Sequence, residues 1–76
     1  MPLIHVKLVE GVASSSQKRE LIKRITDAVV AVEGENMRRL TWVVIEEVKS
    51  GDLGIGGEPL TTDDVNALMK EGRPRS

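Results

Sequence analysis

The chain has 76 residues, and its 11 Lys and Arg nearly cancel its 12 Asp and Glu, for a formal net charge of −1. One small domain over residues 2–76 follows from that length, and the charge balance excludes an electrostatic nucleic-acid binder. With 39% hydrophobic residues, no cysteine and one histidine, the chain is no disordered polymer, disulfide framework, thiolate zinc site or thiol nucleophile, and no apolar run approaches the ~18 residues of a membrane span.

The first residues, Met1 to Lys7, lack a basic start followed by a long apolar stretch, so no secretory signal is read and a cytoplasmic location is expected. Ile4, Val6 and Leu8 alternate with His5 and Lys7, which predicts a half-buried strand over 3–9 that stops at Gly11. Ser14 and Gln17 fit a capping box. Leu21, Ile22, Ile25, Ala28, Val29 and Val32 then recur at helical spacing, predicting an amphipathic helix of about five turns that ends near Gly34. Its Val-rich end has poor helix propensity, so packing must hold it. Leu40 to Val48 reads as a second strand, and the unbroken Val43-Val44-Ile45 suggests cover on both faces. Gly51, Gly54, Gly56 and Gly57 mark a tight turning segment. Thr61 to Asp64 reads as a cap with acids in a first turn, opening a short helix with Val65, Leu68 and Met69 on one face; Gly72 and Pro74 should stop it.

Strand, long helix and strand make an α/β unit with parallel strands and a right-handed helical crossover. A domain this short buries only about 60% of its unfolded surface. Two strands and one helix also leave sheet edges and apolar faces uncovered, so the chain is expected to assemble with others.

Pro2 is the first candidate for chemistry. Removal of Met1 would leave a free secondary amine, with a reference pKa of about 8 that apolar surroundings lower further. Such a nitrogen can take a proton from carbon beside a carbonyl or attack the carbonyl itself. The plainer reading is that Pro2 begins a strand where its missing N–H costs nothing. His5 is a lone histidine on the polar side of the first strand, where a hydrogen-bonded or solvated ring is the default. The glycine run is no phosphate loop, because no Lys-Ser/Thr follows it. Glu46 and Glu47 are adjacent, so in a strand they face opposite sides and form no acid pair.

Pro2 opening a strand, Glu10-Gly11, Gln17-Lys18 opening a helix, Val43-Val44-Ile45-Glu46-Glu47 and Gly54-Ile55-Gly56-Gly57-Glu58 stand in an order and spacing that resembles the 4-oxalocrotonate tautomerase family. The resemblance runs from Pro2 to about Glu58. It implies a β-α-β subunit, six chains arranged as a trimer of dimers, and no metal or organic cofactor. It further implies Pro2 as the general base that shifts a proton within an unsaturated keto acid, and Leu53 and Ile55 as apolar pocket walls. Two positions depart from the family pattern. The arginine that follows Glu-Gly is Val12 here, and the arginine of the second strand is Trp42. That pair holds a dicarboxylate; a valine cannot, and an indole N–H donates one hydrogen bond. Trp42 offers a stacking surface for a conjugated ligand, or serves as a core or interface residue. Arg39, with Arg38 just before the second strand, is a candidate for a carboxylate in a neighbouring chain, against the plain reading of a solvated arginine; Lys7 is a weaker source of charge.

The expected function is therefore an isomerase: a tautomerase acting on a small-molecule enol or keto acid other than a dicarboxylate, as a homo-hexamer. The alternatives are a partner-dependent or non-catalytic subunit of a mixed hexamer, a proline-based dehalogenase or decarboxylase, and a binding module that uses Trp42.

Overall fold

Period-two alternation yields strand β1, Leu3–Val9, with the predicted limits; Leu3, His5 and Lys7 are exposed, whereas Ile4, Val6 and Leu8 are half-buried. The structure, a computed structural model, describes residues 2–71, so the predicted stops Gly72 and Pro74 lie outside the described residues. Two compact units are present. Of the described residues, one combines those up to Val6 with Ala13–Glu46, and the other combines Lys7–Val12 with those from Glu47 onward.

In the first unit, helix α1 spans Ser15–Glu33. Its capping box is complete. Ser14 Oγ accepts from the Gln17 N–H at 3.1 Å, and the Ser14 N–H donates to Gln17 Oε1 at 2.8 Å, satisfying backbone donors that no helical carbonyl can reach. The other end stops at Gly34, whose φ of 104° suits glycine and whose N–H reaches the Val30 carbonyl at 2.8 Å. Leu21, Ile25 and Val29 are half-buried as the stripe predicts, but Ile22, Ala28 and, at 86%, Val32 are exposed, so the stripe is narrower and shorter than the periodicity suggests.

The chain then forms a 3-10 helix, Glu35–Leu40, before strand β2, Trp42–Val48. The sequence places Leu40 in the strand. The Thr41 hydroxyl instead donates to the Met37 carbonyl at 2.7 Å and the Thr41 N–H to the Arg38 carbonyl at 3.3 Å, so the tight helix persists through Leu40. Strands β1 and β2 are paired and parallel. In the first unit the Trp42 N–H donates to the Pro2 carbonyl at 3.0 Å, and in the second the Glu10 N–H donates to the Val48 carbonyl at 2.8 Å, so like ends meet like ends. Val43 and Ile45 are half-buried while Val44 is 42% exposed. Within one chain, the unbroken apolar run is covered on one face only.

In the second unit the glycine segment is more than a turn. Strands β3, Leu53–Ile55, and β4, Glu58–Leu60, pair antiparallel, with Gly54 opposite Pro59. Gly56 and Gly57, at φ 60° and 87°, form the two-residue loop, whose left-handed backbone matches the strand twist. Helix α2, Thr62–Glu71, opens with a reciprocal cap: the Asp64 N–H donates to Thr61 Oγ1 at 3.1 Å and the Thr61 N–H to Asp64 Oδ2 at 3.0 Å. The Thr62 hydroxyl donates to the Glu10 carbonyl at 2.7 Å, and the Thr62 N–H to Ser50 Oγ at 2.9 Å. Gly11 is required here, since a Cβ would lie 3.2 Å from Thr62 Cγ2 and φ is 78°. Among the described residues Val9, 5% exposed, is the one buried hydrophobic side chain.

Candidate functional site

Pro2 precedes β1 and is half-buried. It lacks a donor, and the parallel ladder asks none of it, because its carbonyl is the group that β2 engages through Trp42. Beside it lies a shallow, open hollow of about 330 Å³, lined by Pro2 and Ile4 together with Ala28, Val29, Val32 and Glu33 of α1. Glu33 is the one ionisable member, so the hollow is apolar apart from a single carboxylate at the helix end.

Trp42 does not line this hollow. His5 Nε2 and Glu46 Oε1 are 3.0 Å apart, which puts Leu3 and His5 of β1 on the same face of the sheet as Trp42, Val44 and Glu46 of β2. Trp42, 56% exposed, shares that face with Leu3 and Val44, while Ile4 points to the helix side. The backbones of Pro2 and Trp42 touch, yet their side chains belong to opposite faces of the sheet. The His5–Glu46 bond also accounts for the lone histidine structurally.

The two arginines before β2 part company. Arg38 donates through Nε to Glu35 at 2.6 Å and through Nη1 to Asp27 at 2.8 Å, and Asp27 also takes Lys23 Nζ at 3.0 Å. These bonds, that from Arg38 foremost, hold the Asp27 carboxyl below the usual carboxylate range, and the Arg38 guanidinium is correspondingly raised. Arg39 makes no ion pair or side-chain hydrogen bond among the described residues. It lines an open hollow with Glu35, Asn36 and Arg38, distinct from the one at Pro2. Leu53, half-buried, and Ile55, 64% exposed, belong to the hairpin of the second unit.

The helix side of the Pro2 hollow escapes sequence reasoning. Val29 and Val32 read as core at helical spacing, and nothing in the spacing ties Glu33 to Pro2. Among the described residues no group of three His, Cys, Asp or Glu side chains is placed to hold a metal, and no helix is long and apolar enough to cross a membrane.

Comparison with known proteins adds to this geometry. The family profile described as tautomerase enzyme matches residues 2–63. A Staphylococcus aureus (strain Mu50) protein named as a probable tautomerase is 44% identical over 57 residues, which is 75% of this chain and 90% of that protein. The crystal structure of DmpI from Helicobacter pylori superposes with a TM-score of 0.69 at 38% identity, covering 78% of this chain and 95% of that one. A structure described for trans-3-chloroacrylic acid dehalogenase activity superposes with a TM-score of 0.68 at 27% identity, covering 78% and 98%.

Proposed function

The chain belongs to the 4-oxalocrotonate tautomerase family, and from that premise we propose that it is a keto–enol tautomerase whose base is the amine of Pro2, set free by removal of Met1. The observation that carries this reading is the placement of Pro2 against an apolar hollow large enough for a small ligand. Carbon walls disfavour an ammonium and so lower the amine pKa, against the opposite pull of the one carboxylate in the hollow, Glu33. A secondary amine already titrates at about pH 8, which leaves a lone pair available. The nitrogen takes a proton from the carbon beside the substrate carbonyl, leaving an enolate and a protonated proline. The same proton then returns to the enolate oxygen. Atoms and charge balance without redox chemistry.

In this reading the substrate is an enol or keto acid other than a dicarboxylate. Arg38 is occupied by two carboxylates of its own chain, so Arg39 is the guanidinium left to meet a substrate carboxylate, from a neighbouring chain in a hexamer. Leu53 and Ile55 serve as apolar walls in that assembly. Trp42, exposed on the far face of the sheet, acts toward a neighbouring chain rather than toward its own Pro2. The likeness to the dehalogenase structure favours a second reading, in which the same proline supports dehalogenation of an unsaturated acid.

The test compares processed protein with a form that retains Met1, both verified by intact mass, on an arylpyruvate enol. The processed form should turn over and the blocked form should lose at least about a hundredfold, because an amide nitrogen is no base. Equal rates would overturn the proline mechanism. Halide release from a chloroacrylate without enol turnover would favour the second reading, and inactivity of the purified chain alone would favour a partner-dependent subunit.

A further inference from the structure

The hollow beside Pro2 has one charged member, and it sits badly for the helix that carries it. Ile4, Ala28, Val29 and Val32 present only carbon there, and Glu33 adds a carboxylate. Glu33 is the last residue of a 19-residue helix whose final turn holds no basic side chain, so its charge meets the negative end of the helix dipole. Other acids of this stretch are matched: Glu20 pairs with Arg24, Asp27 with Lys23 and Arg38, and Glu35 with Arg38. Glu33 makes no ion pair or side-chain hydrogen bond among the described residues. An unmatched anion at the edge of a carbon-lined hollow is unfavourable for the helix and has one evident consequence for whatever enters.

We propose that Glu33 is a specificity-determining residue: its carboxylate bars a second anionic group from the hollow, so that the ligand arm lodged beside Pro2 is uncharged and apolar, such as an aryl or branched alkyl group. This rests on the reading of the hollow as the substrate site of Pro2. A volume of about 330 Å³ accommodates an arm of ring size. A carboxylate placed there would share the hollow with a like charge, and the carbon surfaces around it offer no hydrogen bond in compensation. A single carboxylate on the ligand stays at the open side, away from Glu33.

The experiment uses the full chain in its native assembly, with Met1 removal checked by mass. Calorimetry measures binding of two unreactive acids, cinnamate with one carboxylate and an aryl arm, and muconate with a carboxylate at each end. The wild type should prefer cinnamate by about fivefold or more, the factor a charge repulsion near a protein surface supplies. Glu33→Gln should narrow that ratio at least about threefold through tighter muconate binding, and Glu33→Lys should narrow it further. Raising salt to about 0.5 M should narrow the ratio in the wild type and hardly move it in Glu33→Gln, a signature that loss of packing would not produce. An unchanged ratio in both variants overturns the assignment, as does failure of both acids to bind, which would mean that a neighbouring copy fills the hollow. If the acids bind with the expected ratios while no enol is turned over, the Glu33 assignment stands and the proline-base reading fails.

Discussion

Arg38 and Arg39 are neighbours of the same type with different surroundings. Arg38 ties the 3-10 helix to α1 through Asp27, whereas Arg39 faces outward with no partner among the described residues. The Asp27 carboxyl is held below its ordinary value, so its contribution to stability is fully present above the unfolded-state pKa and is lost as pH falls through the lower folded value. Asp27→Asn should therefore lower the thermal midpoint at neutral pH. The gap to wild type should close only in acid below the ordinary carboxylate range, and it should shrink with salt, because the pair is exposed and screened. A gap that is constant from neutral to strongly acidic pH would show that Asp27 acts through packing and not charge. The residue identities alone could not tell the two arginines apart, because Asp27 lies eleven positions before Arg38 and no local spacing encodes that meeting.

Among the elements, α1 was the most legible. Ser14 and Gln17 close the predicted capping box, and Gly34 terminates the helix with a positive φ. Ser14→Ala should cost about 1 kcal/mol, since it removes the acceptor for the Gln17 N–H while leaving the helix sequence intact; chemical denaturation monitored at the helix signal measures this directly, and no loss would mean that water caps the helix equally well. The 3-10 helix was illegible because Leu40-Thr41-Trp42-Val43 are all residues that suit a strand, and only the bonds from Thr41 to Met37 and Arg38 show where the strand starts. The hairpin β3–β4 hid behind its glycines, since residues that make a left-handed loop also erase the alternation by which a strand is read.

At the scale of the whole molecule, the exposed face of the sheet carries Leu3 at 63%, Trp42 at 56% and Val44 at 42% exposure around the His5–Glu46 pair. Apolar side chains gathered on one face point to an interaction surface. The protein is expected to sediment as an assembly of several 8.3 kDa chains. Trp42→Ala should weaken that assembly if the indole is buried between chains, shifting sedimentation toward smaller species at micromolar concentration. A folded wild-type monomer at that concentration would reject the hexameric arrangement, and an unaltered assembly in Trp42→Ala would remove Trp42 from the interface.

Local sequence was enough to determine β1, α1, the body of β2 and the capped start of α2, because each is written in neighbouring residues: a repeat of two or of 3.6, an unbroken β-branched run, or a cap. The order of Pro2, Glu10-Gly11, Gln17-Lys18 and the Gly54–Glu58 run was enough for the family. Only the tertiary structure decided which side chains share a surface. Pro2 meets the end of α1 some thirty positions away, Trp42 falls on the opposite face from the Pro2 hollow, and Arg38 is tethered while Arg39 is not. Those meetings arise from how a strand and a helix pack across long stretches of chain, and a repeat of two or of 3.6 residues carries no record of its partner.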